Sequence, residues 1–133
     1  MEWLRISTST ELVRVATDEI VYVRADGNYS DLVLTSGKSR KMTFQIHFFD
    51  EIFEQLRRNT FVRLGRSLIV NTRYIYVINL PEQQLILYGG KMKEPVVFHG
   101  QGTEEKPRDV CMSRDVLKEL KEELEDEKGG DYE

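Results

Sequence analysis

A single cysteine, Cys111, stands among 133 residues and has nothing to pair with inside the chain. No intrachain disulfide can form, and such a chain suits a reducing compartment. Cys111 reads as a small apolar residue rather than a nucleophile, because no companion base surrounds it in sequence. Histidine is scarce as well: His47 and His99 lie far apart, neither with a carboxylate at metal-ligand spacing, and CxxC does not occur. That argues against a metal site. The glycine-rich phosphate cradles GxxxxGKS, GxxxxGKT and GxGxxG are missing too. No stretch approaches the roughly 18 apolar residues that a membrane span requires. The N-terminus, MEWLRISTSTEL, has no basic segment leading into an apolar one, so no signal peptide is expected. The expectation is a non-enzymatic, cytoplasmic protein with no cofactor, no metal, no small-molecule ligand and no membrane contact.

Positive charge is also in short supply overall, with a net charge of −4, which on its face disfavours a polyanionic partner. The distribution reverses that reading. Residues 122–133 (EELEDEKGGDYE) carry seven acids and one base, a local charge of −6. The preceding 121 residues hold 18 bases and 16 acids, a balance of +2. The body is therefore mildly basic, and the acidity is a tail that Gly129 and Gly130 keep from continuing a helix.

What the chain does contain is short apolar runs punctuated by turn residues. Ile20–Ala25 and Tyr29–Thr35 are rich in β-branched and aromatic residues and flank Asp26-Gly27-Asn28, the signature of a hairpin. Ser36-Gly37 then leads into a basic strand, Lys38–Met42. In FQIHFFDEIFEQLRR the apolar residues Phe44, Phe48, Phe49, Ile52, Phe53 and Leu56 recur at intervals of three and four, predicting an amphipathic helix with Thr43 as its N-cap. Strands are expected again over Phe61–Leu64, Ser67–Asn71, Tyr74–Ile78, Leu85–Tyr88 and Val96–Phe98. A polar loop from Gly100 to Asp109 follows. Ser113 is placed to cap a last helix with Val116, Leu117, Leu120 and Leu124 as its stripe. The prediction is one mostly-β domain with one internal and one C-terminal helix.

The chemistry that remains is cationic. Arg63, Arg66 and Arg73 bracket the central strand pair, Arg108 sits in the polar loop, and Arg114 opens the last helix beside Ser113. Asn28 and Tyr29 follow the Asp-Gly turn. Arginine suits phosphate oxygens and the guanine edge, Asn can read adenine, and a helix N-terminus offers N–H donors to phosphate. Each residue also has a plainer reading. A strand-edge arginine discourages edge pairing, Asn28 tolerates a left-handed backbone, and Ser113 is a cap.

Taken in order, IVYVRADGNYSDLVLTSGK, a basic strand, an amphipathic helix, FVRLGRSLIVNTRYIYVI and SRDVLKELKEEL resemble the LytTR-type DNA-binding domain of bacterial transcriptional regulators. The resemblance runs from about Leu12 to Leu124 and is most specific over Phe61–Ile75. It implies small antiparallel sheets with flanking helices, and loops that enter successive major grooves of one face of double-stranded DNA. Carried over by position, Asn28 or Tyr29, Arg66 with Ser67, and Arg114 beside Ser113 would meet bases, while Arg63 and Arg73 would meet phosphates or support the loop. Three departures bear on specificity: Gly65 stands where the family usually has His, Asp115 where a second base is common, and Lys91–Asp109 is long. The resulting expectation is an N-terminal extension (residues 1–11), a DNA-binding domain (12–124) and an acidic tail (125–133), acting on DNA as two copies on repeated half-sites. The short segment before Leu12 suggests a stand-alone regulator or the output domain of a response regulator. Gly65, Asp115 and the tail also motivate an alternative, a protein-interaction module that kept the fold and lost DNA binding.

Overall fold

The computed structural model describes residues 1–100, 110 and 112–126. Arg108, Cys111, most of the polar loop and the acidic residues after Asp126 lie outside the described residues. The described chain forms β1 (Trp3–Ser7), β2 (Leu12–Ala16), β3 (Ile20–Asp26), β4 (Tyr29–Leu34), β5 (Ser39–Met42), α1 (Ile46–Glu54), β6 (Phe61–Arg63), β7 (Leu68–Asn71), β8 (Ile75–Asn79), β9 (Gln84–Leu87), β10 (Val96–His99) and α2 (Arg114–Glu125). These make three small antiparallel sheets, ordered β1-β2, β5-β4-β3-β7-β6 and β10-β9-β8. The mostly-β architecture with one internal and one C-terminal helix is as the sequence predicts.

The five-stranded sheet separates two cores. One contains Leu4, Ile6, Ile20, Val23, Leu32, Met42, Ile69 and the α1 stripe Ile46, Phe49 and Phe53. The other contains Val21, Leu68, Val70, Leu85, Leu87, Phe98, and Leu117 and Leu120 of α2. A β-bulge explains how β3 serves both. Ile20 pairs with Leu34 and Tyr22 with Val33, so Val21 is an extra residue. A bulge of this kind turns two consecutive side chains to one side. Val21 and Tyr22 thus both reach the second core, where the Tyr22 ring meets Phe98 edge-on with centroids 5.0 Å apart.

Helix α1 starts later than its sequence suggests. Thr43 is not the N-cap; Gln45 is, and its side chain makes no capping bond. The cause is tethering of the preceding strand. Met42 still pairs with Ser30, and the Ser30 hydroxyl donates to the Phe44 carbonyl at 2.8 Å. The backbone can turn helical only after that. Once it does, Phe53 stacks on Phe61 at 3.9 Å. Each such fully buried side chain contributes roughly 1.5–3 kcal/mol. Helix α2 begins as predicted, with the Ser113 Oγ accepting from the Val116 N–H at 3.1 Å. Leu117 and Leu120 are buried, while Val116 and Leu124 pack at the stripe's edges.

Two features were not foreseen. Residues 3–7 form β1, paired with β2 in the register Trp3↔Ala16 through Ser7↔Leu12. Leu4 and Ile6 point into the α1 core and Trp3 and Arg5 point outward. Asn71, 1% exposed, ties three elements together. Its Nδ2 donates to the Ile20 carbonyl at 2.9 Å, and its Oδ1 accepts from the Thr60 hydroxyl at 2.7 Å and the Arg73 N–H at 3.1 Å.

Candidate nucleic-acid interface

The antiparallel pairing of β3 with both β4 and β7 decides which loops become neighbours. Arg24 pairs with Leu68, and the Ala25 N–H donates to the Ser67 carbonyl at 2.8 Å. The β3–β4 turn and the β6–β7 loop therefore project from the same end of the five-stranded sheet. Asn28, Tyr29, Arg66 and Ser67 share that end.

The β3–β4 connection is a two-residue turn with Gly27 at φ +61, and Asp26 pairs with Tyr29 across it. Asn28 is not in the left-handed region; among the described non-glycine residues only Gln83 is. Tolerance of that backbone therefore does not account for Asn28. Its side-chain carbonyl instead accepts from Gln45 Nε2 at 3.0 Å, bridging the turn to the start of α1. Tyr29 is 47% exposed, with Lys41 Nζ 6.0 Å from its ring centroid. Lys41 is itself held between Asp26 at 2.6 Å and Asp31 at 3.1 Å. The hydrogen bond from Lys41 holds the Asp26 carboxyl below its usual value, and the bonds to Asp26 and Asp31 raise Lys41.

The second loop is built around one side chain. Leu64 is buried and its N–H donates to the Leu68 carbonyl at 2.8 Å, which closes the loop. Gly65 takes φ +80, a conformation that any L-residue, histidine included, adopts only with strain. Arg63 donates from Nε to the Gly65 carbonyl at 3.0 Å and from Nη2 to the Arg66 carbonyl at 3.2 Å. Its Nη1 meets Asp50 of α1 at 2.6 Å. Arg63 is thus a brace between helix and loop. Arg66 is exposed, and among the described residues its guanidinium has no hydrogen-bond or ion-pair partner. A rigid loop thereby presents an uncommitted cation.

The remaining candidates lie elsewhere. Arg73 is at the opposite end of β7 from Arg66, 3.4 Å from Asp18, so the two do not come together. Ser113 and Arg114 sit at the N-terminus of α2 beside the β8–β9 turn, where Arg114 Nη2 lies 3.5 Å from the Pro81 carbonyl. The Ser113 hydroxyl is used in capping, and Asp115 occupies the first turn, favouring the helix dipole but opposing phosphate. Leu64 shares its buried cluster with Met112 and Leu117, so the Arg66 loop and the start of α2 grow from one core. Gln45 and Lys41 were missed by sequence reasoning. Gln45 becomes visible only when the true helix start is known, and Lys41 only when its strand partners are. Among the described residues no His, Cys, Asp and Glu group could hold a metal ion, and no helix is long and apolar enough to cross a membrane.

Comparison with known proteins agrees with this fold. An uncharacterised response regulatory protein of Vibrio cholerae is 29% identical over 90 residues, which cover 68% of this chain and 32% of the relative. The chain thus spans about a third of that relative's length. A solved structure from Bacillus cereus, described as a LytTr DNA-binding domain, matches the fold with a TM-score of 0.57 at 17% identity, covering 93% of this chain and 97% of the other. The LytTr DNA-binding domain family matches residues 10–98, about two thirds of the sequence, and the chain belongs to that family.

Proposed function

We propose that this domain binds double-stranded DNA sequence-specifically in bacterial transcription regulation, without catalysis, with its loops and the N-terminus of α2 entering successive major grooves. The observation that carries the reading is Arg66: an exposed guanidinium, unengaged among the described residues, on a loop fixed by Arg63 and by Leu64. Arginine forks onto guanine O6 and N7, and pre-organisation lowers the entropy lost on docking. Asn28, Tyr29 and Ser67 supply neighbouring polar contacts from the same sheet end, and Arg114 with Ser113 a second approach from α2. In this reading Arg63 supports the loop and Arg73 stays with Asp18, away from the reading edge. The DNA-binding unit is residues 12–124, working in the cytoplasm as two copies on repeated half-sites, in a regulator of the response-regulator type.

The test is selection of bound sequences from random duplexes, followed by Arg66→Ala. The substitution is expected to cost about 1–3 kcal/mol on the selected site and much less on random DNA. An equal loss on both would remove Arg66 as a base reader. Absence of salt-sensitive binding to any duplex would instead favour a protein-interaction module on the same fold.

A further inference from the structure

We propose that the outward face of the β1–β2 hairpin is a second DNA-contact surface, one that grips the phosphate backbone apart from the base-reading loops. The inference rests on the DNA-binding reading but concerns a separate place in the fold. Trp3 and Arg5 precede residue 10, where the family match begins.

The pairing register puts Arg5 directly opposite Arg14, and the burial pattern turns both to solvent while Leu4 and Ile6 face the core. Opposed residues in an antiparallel pair have Cβ atoms about 4.5–5.5 Å apart, and like charges there repel. The register therefore sets two cationic side chains side by side on one exposed face. Among the described residues neither has an ion-pair partner. The nearby carboxylates are already engaged. Glu11 at the hairpin turn binds Arg40 at 2.5 Å. Glu2 accepts from the backbone N–H of Arg57 at 2.9 Å.

Arg14 is also pre-positioned, its guanidinium carbon 5.0 Å from the centroid of the Trp3 ring. Such a contact orients the cation without neutralising it. An anion seated between the two arginines would turn their repulsion into attraction, and a phosphodiester oxygen has the right charge and hydrogen-bonding capacity. Glu2 falls on the same alternation as the inward Leu4 and Ile6 and accepts from the backbone N–H groups of Arg57 and Arg58, so its carboxylate is turned away from the Arg5–Arg14 face. The two neighbouring guanidinium groups match the charge of a phosphodiester backbone passing across this face. Contact with phosphates fixes position on a duplex and carries no sequence information.

The experiment uses the full chain with a selected duplex and a random duplex of equal length, with affinity followed from about 50 to 200 mM salt. Releasing two phosphate contacts should reduce the log–log salt slope by about 1.8, so wild type weakens roughly tenfold more than Arg5→Gln/Arg14→Gln over that range. The reduction should be the same on both duplexes. Arg5→Lys/Arg14→Lys keeps the charges and should keep the slope, and thermal unfolding of each variant verifies the fold. An unchanged slope in the glutamine variant, or a loss confined to the selected duplex, overturns the inference while leaving base reading by Arg66 intact. If wild type binds neither duplex, the DNA-binding reading and this surface fall together.

Discussion

Replacing Arg63 by Met separates two roles that a loop arginine can have. As a brace it holds the β6–β7 loop; as a phosphate ligand it would hold DNA. Its ion pair with Asp50 is about one third exposed on each side, at 33% and 32%, so solvent screening limits that contact to roughly 0.5–1 kcal/mol. The two bonds to the Gly65 and Arg66 carbonyls add about 0.5–1.5 kcal/mol each. Because the three share one side chain they are not additive, and a loss of about 2 kcal/mol is expected. With an unfolding entropy of about 2.1 cal/mol/K per residue over 133 residues, that corresponds to a fall in Tm of about 7 °C. The loop should also lose order, so discrimination between selected and random DNA should shrink even though Arg66 is untouched. Asp50→Asn provides the decisive comparison. If Arg63 is a brace, removing its anchor on α1 lowers both Tm and discrimination by a fraction of the Arg63→Met effect. If Arg63 is a phosphate ligand, freeing it from Asp50 strengthens binding to all duplexes. Calorimetry and binding titrations on the two variants decide, and tighter binding by Asp50→Asn with an unaltered Tm in Arg63→Met would refute the brace.

Further outcomes follow from the same geometry. Asn71→Ala leaves the Ile20 carbonyl and the Thr60 hydroxyl without their partner in the core, and should cost about 3–4 kcal/mol by denaturant titration, among the larger single-site effects. Gly65→Ala forces an L-residue to φ +80 and should cost about 1–2 kcal/mol in stability while weakening DNA discrimination. Burial raises Tyr22 and Tyr74 above their ordinary 10.0, and hydrogen bonds to Asp26 and Asp31 raise Lys41 above 10.5. These groups hold their protons more tightly when folded, so their stabilisation is complete below about pH 10 and is lost as pH rises through the folded values. Asp26 is lowered by its bond from Lys41, so its contribution is present above pH 3.8 and fades as pH falls through the folded value. A Tm profile should therefore decline at both ends, with Tyr22→Phe flattening the alkaline limb.

The elements that the sequence disclosed are those whose pattern is local. The Asp-Gly-Asn hairpin and the Ser113 cap each depend on residues within a turn or two of one another and occur as read, whereas the α1 stripe holds at Phe49, Ile52 and Phe53 but not at Phe48, which is 43% exposed, and Ile46 joins it unannounced. The misplaced cap at Thr43 shows the limit: its fate depended on Ser30, in another strand. The hairpin of β1 and β2 was hidden because Leu4 and Ile6 give only two inward positions, too few to distinguish a strand from a loose end. The candidate site was legible as a set of residue types but not as a place. Only the pairing of Tyr22 with Val70, far apart in sequence, brings Asn28 and Arg66 together, and the same register sends Arg73 to the other end. Nor could the sequence show that Arg63 spends its donors on the loop beside it.

Strand β7 is buried along its whole length, with Leu68 and Val70 facing one core and Ile69 the other. Force applied at the Arg66 tip is therefore delivered to a strand clamped on both faces, and neither half of the molecule can yield without loosening the other. The amides of Ile69 and Val70 should be among the last to exchange with deuterium, opening only when the entire domain does.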